Sequence, residues 1–89
     1  MAEQSYHPNP DVVAQRVQDE VVLVNLRTNE IYTLNRTAAR AWELIAEGRD
    51  RPVVEAALVE EFSVEETEAQ GELDDLLDEL VEKELIQPA

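Results

Sequence analysis

The chain has 89 residues, no cysteine and a formal net charge of −14, from 21 acidic and 7 basic residues. This length fits one domain, and the lack of cysteine excludes disulfides, thiolate metal sites and a cysteine nucleophile. Clustered Lys and Arg bind a phosphate backbone, so the charge argues against nucleic-acid binding and favours a basic partner. No apolar run reaches the length of a membrane span and no secretory signal pattern is present, which predicts a cytoplasmic location.

The first ten residues are polar and include Pro8 and Pro10. We predict a flexible N-terminal arm over residues 1–10 and a single domain over residues 11–89. His7 lies in this arm without visible partner residues, which favours a solvated side chain over a metal ligand or a catalytic base.

The next part of the chain predicts three short strands. Asp11–Val17 is the first, and a polar turn over Gln18–Glu20 leads into the second, which contains Val21–Val24. The third strand contains Ile31–Leu34. Between the second and third strands, Asn29 is the residue best able to take a left-handed backbone conformation, so these two strands should form a hairpin.

Helical periodicity begins after the hairpin. Asn35 or Thr37 can cap a first helix that ends near Gly48, and its apolar face is predicted to place Trp42 in the core. A second helix should begin at Pro52 and end at Phe62.

The pattern of Ser63 and Glu66 is that of a capping box, which predicts a third helix over Val64–Glu84. Gly71 lies inside this helix and is predicted to mark either a bend or a break.

Strands followed by three helices predict an α+β fold with a winged-helix-like arrangement, a three-stranded antiparallel sheet preceding the helices. No residues form a catalytic constellation, and Asp74, Asp75, Asp78 and Glu79 lack the loop spacing of a calcium site. We therefore predict no enzyme activity, no metal and no cofactor. A recognition module remains, because an extended peptide can add to a sheet edge beside a helix. A nucleic-acid-binding winged helix and a structural subunit that docks through its acidic helix are the alternatives.

Three stretches resemble the PqqD-like peptide-recognition domains of ribosomal peptide biosynthesis, also called RiPP recognition elements. Residues 34–44 contain LNRTA followed by AWEL, similar to the family's LN-x-TA…(W/I)xLL. Residues 76–86 resemble its closing L-x-x-L-x-x-x-G-L-(I/V). The hairpin over residues 25–35 is most similar to the stand-alone members of lasso-peptide clusters, which have D-x-RTG-x-Y-x-LN.

The chain departs from the family pattern at two glycines. Asn29 stands at the turn glycine, which asparagine can replace. Glu84 stands at the glycine before the final Leu-Ile, which predicts that the last helix runs on a little further.

The resemblance implies three antiparallel strands and three helices, with a precursor's leader peptide bound as an added strand along the third strand and against the third helix. In a lasso system the partners would also include a leader peptidase and a macrocyclising enzyme, and no nucleic acid or membrane. A chaperone of pyrroloquinoline quinone biosynthesis is the alternative within the family.

Strand alternation places Ile31 and Thr33 on one sheet face and Tyr32 and Leu34 on the other, with Leu34 entering the core. Either face could read the leader. On the third helix, Leu73, Leu77 and Leu80 are assigned mainly to the core. The better candidates for a binding groove flank this stripe and are Asp74, Leu76, Asp78 and Val81. The predicted peptide-binding residues are Glu30, Ile31, Tyr32, Thr33, Leu34, Leu73, Asp74, Leu76, Leu77, Asp78 and Val81.

Overall fold

Five strands and three helices make up residues 6–88, the part of the chain that this computed structural model describes. The strands are β1 (Tyr6–Pro8), β2 (Val12–Val17), β3 (Glu20–Asn25), β4 (Glu30–Leu34) and β5 (Ile86–Pro88). The helices are α1 (Arg36–Ala46), α2 (Arg51–Phe62) and α3 (Glu66–Glu82). Strands β2, β3 and β4 form an antiparallel sheet in that order, and β1 pairs with β5. This architecture confirms the predicted α+β fold.

The β3–β4 hairpin is confirmed and its turn is closed locally. Asn29 has φ 64°, and its backbone N–H donates to the carbonyl oxygen of Asn25 over 2.7 Å. Leu23 faces Tyr32 and Val21 faces Leu34 across the ladder. This register turns Val21, Leu23 and Leu34 inward, where all three are buried.

The first two helices begin at or next to the predicted positions, α1 after its cap Asn35 and α2 at Arg51, one residue before Pro52. The Asn35 side chain accepts a hydrogen bond from the backbone N–H of Ala38 over 2.9 Å, and Pro52 lies in the first turn of α2. Trp42 is buried in the core, as predicted. Gly48, with φ 89°, lies just past the end of α1 in the left-handed conformation that closes a helix.

The predicted start of the third helix is wrong. Ser63 does not cap α3 but ends α2 in a left-handed conformation, φ 56°, with its N–H donating to the carbonyl of Val59. α3 begins at Glu66, three residues later. A residue that terminates one helix cannot also take the extended conformation of an N-cap. Gly71 marks no break, because it lies inside the continuous α3.

The predicted extension of the last helix through Glu84 is also wrong. Glu84 has φ 61°, and its N–H donates to the carbonyl of Val81 while that of Leu85 donates to Leu80. This pair of bonds is a Schellman motif, which usually has glycine at the position of Glu84. The buried Asn25 amide holds the turn by donating to the Glu84 carbonyl over 3.2 Å. Tertiary contacts therefore impose on Glu84 the conformation that glycine takes easily.

The prediction of a flexible arm is wrong for Tyr6–Pro8, while residues 1–5 lie outside the described residues. β1 pairs antiparallel with β5, which places Tyr6 opposite Pro88. The turn at Glu84 sends the chain back into position for this pairing. The N–H of Asn9 also donates to the carbonyl of Leu85 over 3.0 Å. Sequence alone contains no signal for so short a strand pair.

The core lies between one face of the three-stranded sheet and the three helices. Leu73, Leu77 and Leu80 are buried there, as predicted. The buried apolar residues are Val21, Leu23, Leu34, Ala39, Ala41, Trp42, Leu44, Ile45, Val54, Leu58, Ala69, Leu73, Leu77, Leu80, Leu85 and Ile86. No helix within residues 6–88 is long and apolar enough to cross a membrane.

Candidate functional site

The outer edge of β4 is unpaired within residues 6–88, because β4 ends the sheet order β2-β3-β4. Its side chains alternate as predicted. Ile31 is 68% exposed and shares the solvent face with Thr33, whereas Leu34 is 5% exposed and Tyr32 is half-buried. The edge therefore offers free backbone groups between a solvent face and a face that packs on the helices.

Tyr32 connects β4 to α3. Its hydroxyl donates to a carboxylate oxygen of Glu79 over 3.5 Å, and the ammonium nitrogen of Lys83 lies 5.6 Å from the centre of its ring. The interaction with Tyr32 is the main cause of a raised pKa at Lys83. Glu79 and Lys83 are one turn apart, so one flank of α3 runs alongside the face of β4 that carries Tyr32.

A cavity of about 330 Å³ lies at the end of β4, between the start of α1 and the same flank of α3. Ala38, Ala41, Leu58 and Leu73 supply apolar surface, and three carboxylates come from α3. The complete lining is Asn35, Thr37, Ala38, Ala41, Leu58, Glu72, Leu73, Asp75, Leu76 and Glu79. We call the surface formed by β4, Tyr32, the Glu72–Lys83 flank of α3 and this cavity the edge groove.

The structure brings only part of the predicted site to the edge groove. β4 forms its edge, and Leu73 and Leu76 line the cavity. Leu77 is buried in the core, where it also borders a small apolar space beside Tyr6.

The other three predicted helix residues lie on a different flank of α3. Asp74 forms an ion pair with Arg51 of α2. Asp78 and Val81 come one and two turns later, so they lie on the side of Asp74, away from β4. Both are exposed to solvent.

Four residues on the groove flank of α3 were missed from sequence: Glu72, Asp75, Glu79 and Lys83. They lie beside Leu76 at helical spacing, so the periodicity contained them. The apolar stripe of α3 has two polar flanks, however, and periodicity alone does not show which flank meets the sheet. The contact between Tyr32 and Glu79 decides this.

An antiparallel three-stranded sheet followed by three helices, with one open edge beside the last helix, defines a class of small α+β recognition domains. A family model described as Coenzyme PQQ synthesis protein D (PqqD) matches residues 20–86. This match spans most of the chain, which therefore belongs to the PqqD family.

Two solved structures are similar over nearly the full chain. The first, TbiB1 in complex with the TbiA(beta) leader peptide, has a TM-score of 0.87 and 32% identity, and covers 91% of this chain and 94% of that one. The second, lasso peptide synthetase B1 complexed with the leader peptide, has a TM-score of 0.86 and 26% identity, and covers 94% of this chain and 99% of that one. No curated protein sequence gave a significant match.

Proposed function

We propose that this protein is a non-catalytic adaptor that binds the leader segment of a ribosomally made precursor peptide by strand addition to β4. The open edge of β4 beside α3 is the observation that carries the proposal. Its support comes from the two similar structures, both of which are complexes with leader peptides.

Strand addition uses the two parts of the edge groove differently. Backbone groups along Glu30–Leu34 supply hydrogen bonds that any extended peptide can make. Leader side chains that alternate towards α3 meet Tyr32, Leu76 and the cavity, and these contacts supply specificity. We therefore propose that the face of Tyr32 reads the leader, while the face of Ile31 lies on the solvent side.

The adaptor role completes the proposal. A leader held as a strand leaves the adjoining core peptide outside the groove, where a separate leader peptidase and a macrocyclising enzyme can act on it. Because the precursor is made on ribosomes, we propose that this step occurs in the cytoplasm. Within residues 6–88, no three or more His, Asp or Glu side chains are grouped so that they could hold a metal ion.

Calorimetric titration tests the function. A candidate precursor peptide from the gene neighbourhood should be divided into its leader and core halves, and each half titrated into the protein. We expect saturable one-to-one binding of the leader half and no binding of the core half. Binding of the core half alone, or of neither half, would contradict the proposal.

A chaperone of pyrroloquinoline quinone biosynthesis is the second candidate, because the matching family model has that description. It would use the same edge groove for a different precursor. Titrating the pyrroloquinoline quinone precursor peptide in parallel separates the two candidates. We expect the lasso-type leader to bind at least about tenfold more tightly, which corresponds to about 1.4 kcal/mol.

A further inference from the structure

The carboxylates at the cavity of the edge groove form no ion pair with a basic side chain of residues 6–88. No described side chain forms an ion pair with Glu72, Asp75 or Glu79, and Glu79 accepts only the hydroxyl of Tyr32. All three are solvent-exposed and lie above the apolar surface of Ala38 and Leu58. The cavity therefore combines an apolar floor with a negative rim.

None of the Lys and Arg side chains forms an ion pair with Glu72, Asp75 or Glu79. The ion pairs join Arg16 to Glu43, Arg27 to Glu84, Arg40 to Glu43 and Glu61, Arg49 to Glu47, and Arg51 to Glu55 and Asp74. The remaining two bases lie over aromatic rings, Arg36 over Phe62 and Lys83 over Tyr32. An external cation would therefore reach the rim without breaking an ion pair among residues 6–88, while Lys83 stays over Tyr32 at the other end of the edge groove.

We propose that the leader carries a Lys or Arg which lies against Glu72, Asp75 and Glu79 while a neighbouring apolar side chain enters the cavity. This inference rests on the proposed function and adds the charge of the recognised peptide to it. The cavity is continuous with the binding edge, because Asn35 lines it and comes directly after Leu34, the last residue of β4. An added strand that passes Leu34 therefore arrives at the rim.

The arrangement gives a basic residue a specific role beyond general attraction to an acidic protein. Long-range attraction depends on the net charge, whereas contact with the rim depends on where a basic residue lies along the peptide. The two contributions can be separated with variants that have equal net charge but different positions of neutralisation.

Two triple variants provide this separation. The rim variant carries Glu72→Gln, Asp75→Asn and Glu79→Gln. The control variant carries Asp19→Asn, Glu60→Gln and Glu65→Gln, three exposed positions away from the edge groove. Both variants have the same net charge, and neither removes a buried side chain.

A display library of random 15-residue peptides should be selected on the full-length protein and on both variants. On the wild type and the control variant, we expect enriched peptides to share an apolar residue with Lys or Arg at one fixed offset. On the rim variant the apolar residue should persist while the basic preference disappears. Peptides selected on the wild type should bind the rim variant about tenfold more weakly and the control variant within about twofold.

Equal loss of the basic preference in both variants, or no basic preference at all, would overturn the inference. Amide shifts of labelled protein with the selected peptides distinguish its failure from that of the proposed function. Shifts at Glu30–Leu34 without a basic preference overturn the rim inference alone. Shifts that avoid Glu30–Leu34 overturn both.

Discussion

The sheet has two open edges within residues 6–88, and they differ in their surroundings. β4 runs next to α3, with Tyr32 in contact with Glu79 and Lys83 and with the cavity at its end. β2 packs almost only against β3, and its residues Val13 and Val17 are about half exposed. Both edges present free backbone groups, but only β4 has the side chains of a helix next to it. We call these side chains, on the Glu72–Lys83 flank of α3, the helix wall.

The presence or absence of a helix beside the edge decides whether an added strand is bound selectively. Hydrogen bonds to an open edge are available to any extended chain, so an edge without a wall attracts partners indiscriminately. A wall turns alternate side chains of the added strand into specific contacts. The high net charge of the protein then opposes pairing of two copies at the other edge.

Asn25 fixes the geometry of the β4 side, and its removal should have the largest effect. Its side chain is buried and bonds to the backbone of Arg27, Thr28, Lys83 and Glu84, which links the hairpin turn to the end of α3. We expect Asn25→Ala to lower the free energy of unfolding by about 3 kcal/mol in urea titrations. Asn9→Ala removes two more exposed hydrogen bonds, one donated to the Glu84 carbonyl and one accepted from the backbone N–H of Asp11, and should cost about 1 kcal/mol or less.

A smaller loss from Asn25→Ala than from Asn9→Ala would mean that the hairpin and α3 are held together by other contacts.

Proline substitutions compare the two edges directly. N–H groups of successive residues on an edge strand alternate between the neighbouring strand and solvent, so one of Tyr32 and Thr33 presents its N–H outward. Proline at that residue should preserve the sheet and weaken leader binding at least about tenfold, measured by calorimetry. The matched proline at Gln15 or Arg16 of β2 should change affinity by no more than about twofold.

In each strand, only the proline variant whose lost N–H pointed outward should keep the native fold. Circular dichroism identifies that variant among the two made in β4 and the two made in β2. Equal losses of affinity from folded β4 and β2 variants would show that the two edges bind alike.

The wall itself can be tested on two flanks of α3. Leu76 lines the cavity and is half-buried, whereas Val81 is 41% exposed on the flank of Asp74. Leu76→Ala should weaken leader binding about fivefold, because it removes apolar surface from the groove. Val81→Ala should leave the affinity unchanged, and a loss there would show that the flank of Asp74 also contacts the leader.

Backbone strain gives the smallest expected effect. Glu84 and Gly48 both lie just past helix ends in left-handed conformations, with φ 61° and 89°. Glu84→Gly should raise the free energy of unfolding by up to about 1 kcal/mol, since glycine takes this conformation without strain, and Gly48→Ala should lower it by about 1 kcal/mol. Both variants should keep the affinity for the leader, since neither residue lines the edge groove.

Thermal unfolding measures both strain effects. A destabilised Glu84→Gly variant would mean that the exposed ion pair between Arg27 and Glu84 outweighs the relief of strain.

Local patterns were sufficient for most of the fold. Asn29 and Asn35 determine their turn and cap within a few residues, and the spacing of Leu73, Leu77 and Leu80 identifies the core face of α3. The turn at Glu84 was misread because it depends on a residue that is distant along the chain. Its carbonyl is held by the Asn25 side chain, which is 59 residues away in sequence.

Less of the candidate site than of the fold could be predicted from the sequence. The strand at Glu30–Leu34 could be located because its residues form a recognisable hairpin. The flank of α3 that faces β4 could not be located in this way. Asp74 on one flank and Glu72 on the other are both acidic residues beside the same leucine stripe, so the two flanks look alike in sequence. Arg51 pairs with Asp74 on one flank, and Tyr32 meets Glu79 on the other. Only these long-range contacts distinguish the structural flank from the groove flank.

Amide spectroscopy during titration tests the central claim most directly. Leader peptide should be added to uniformly ¹⁵N-labelled protein, with shifts and hydrogen exchange monitored at every amide of β2 and β4. The account predicts shifts centred on Glu30–Leu34 and new exchange protection at alternate residues of β4, with β2 unchanged. Saturable binding that shifts β2 or α1 while Glu30–Leu34 stays unchanged would contradict it.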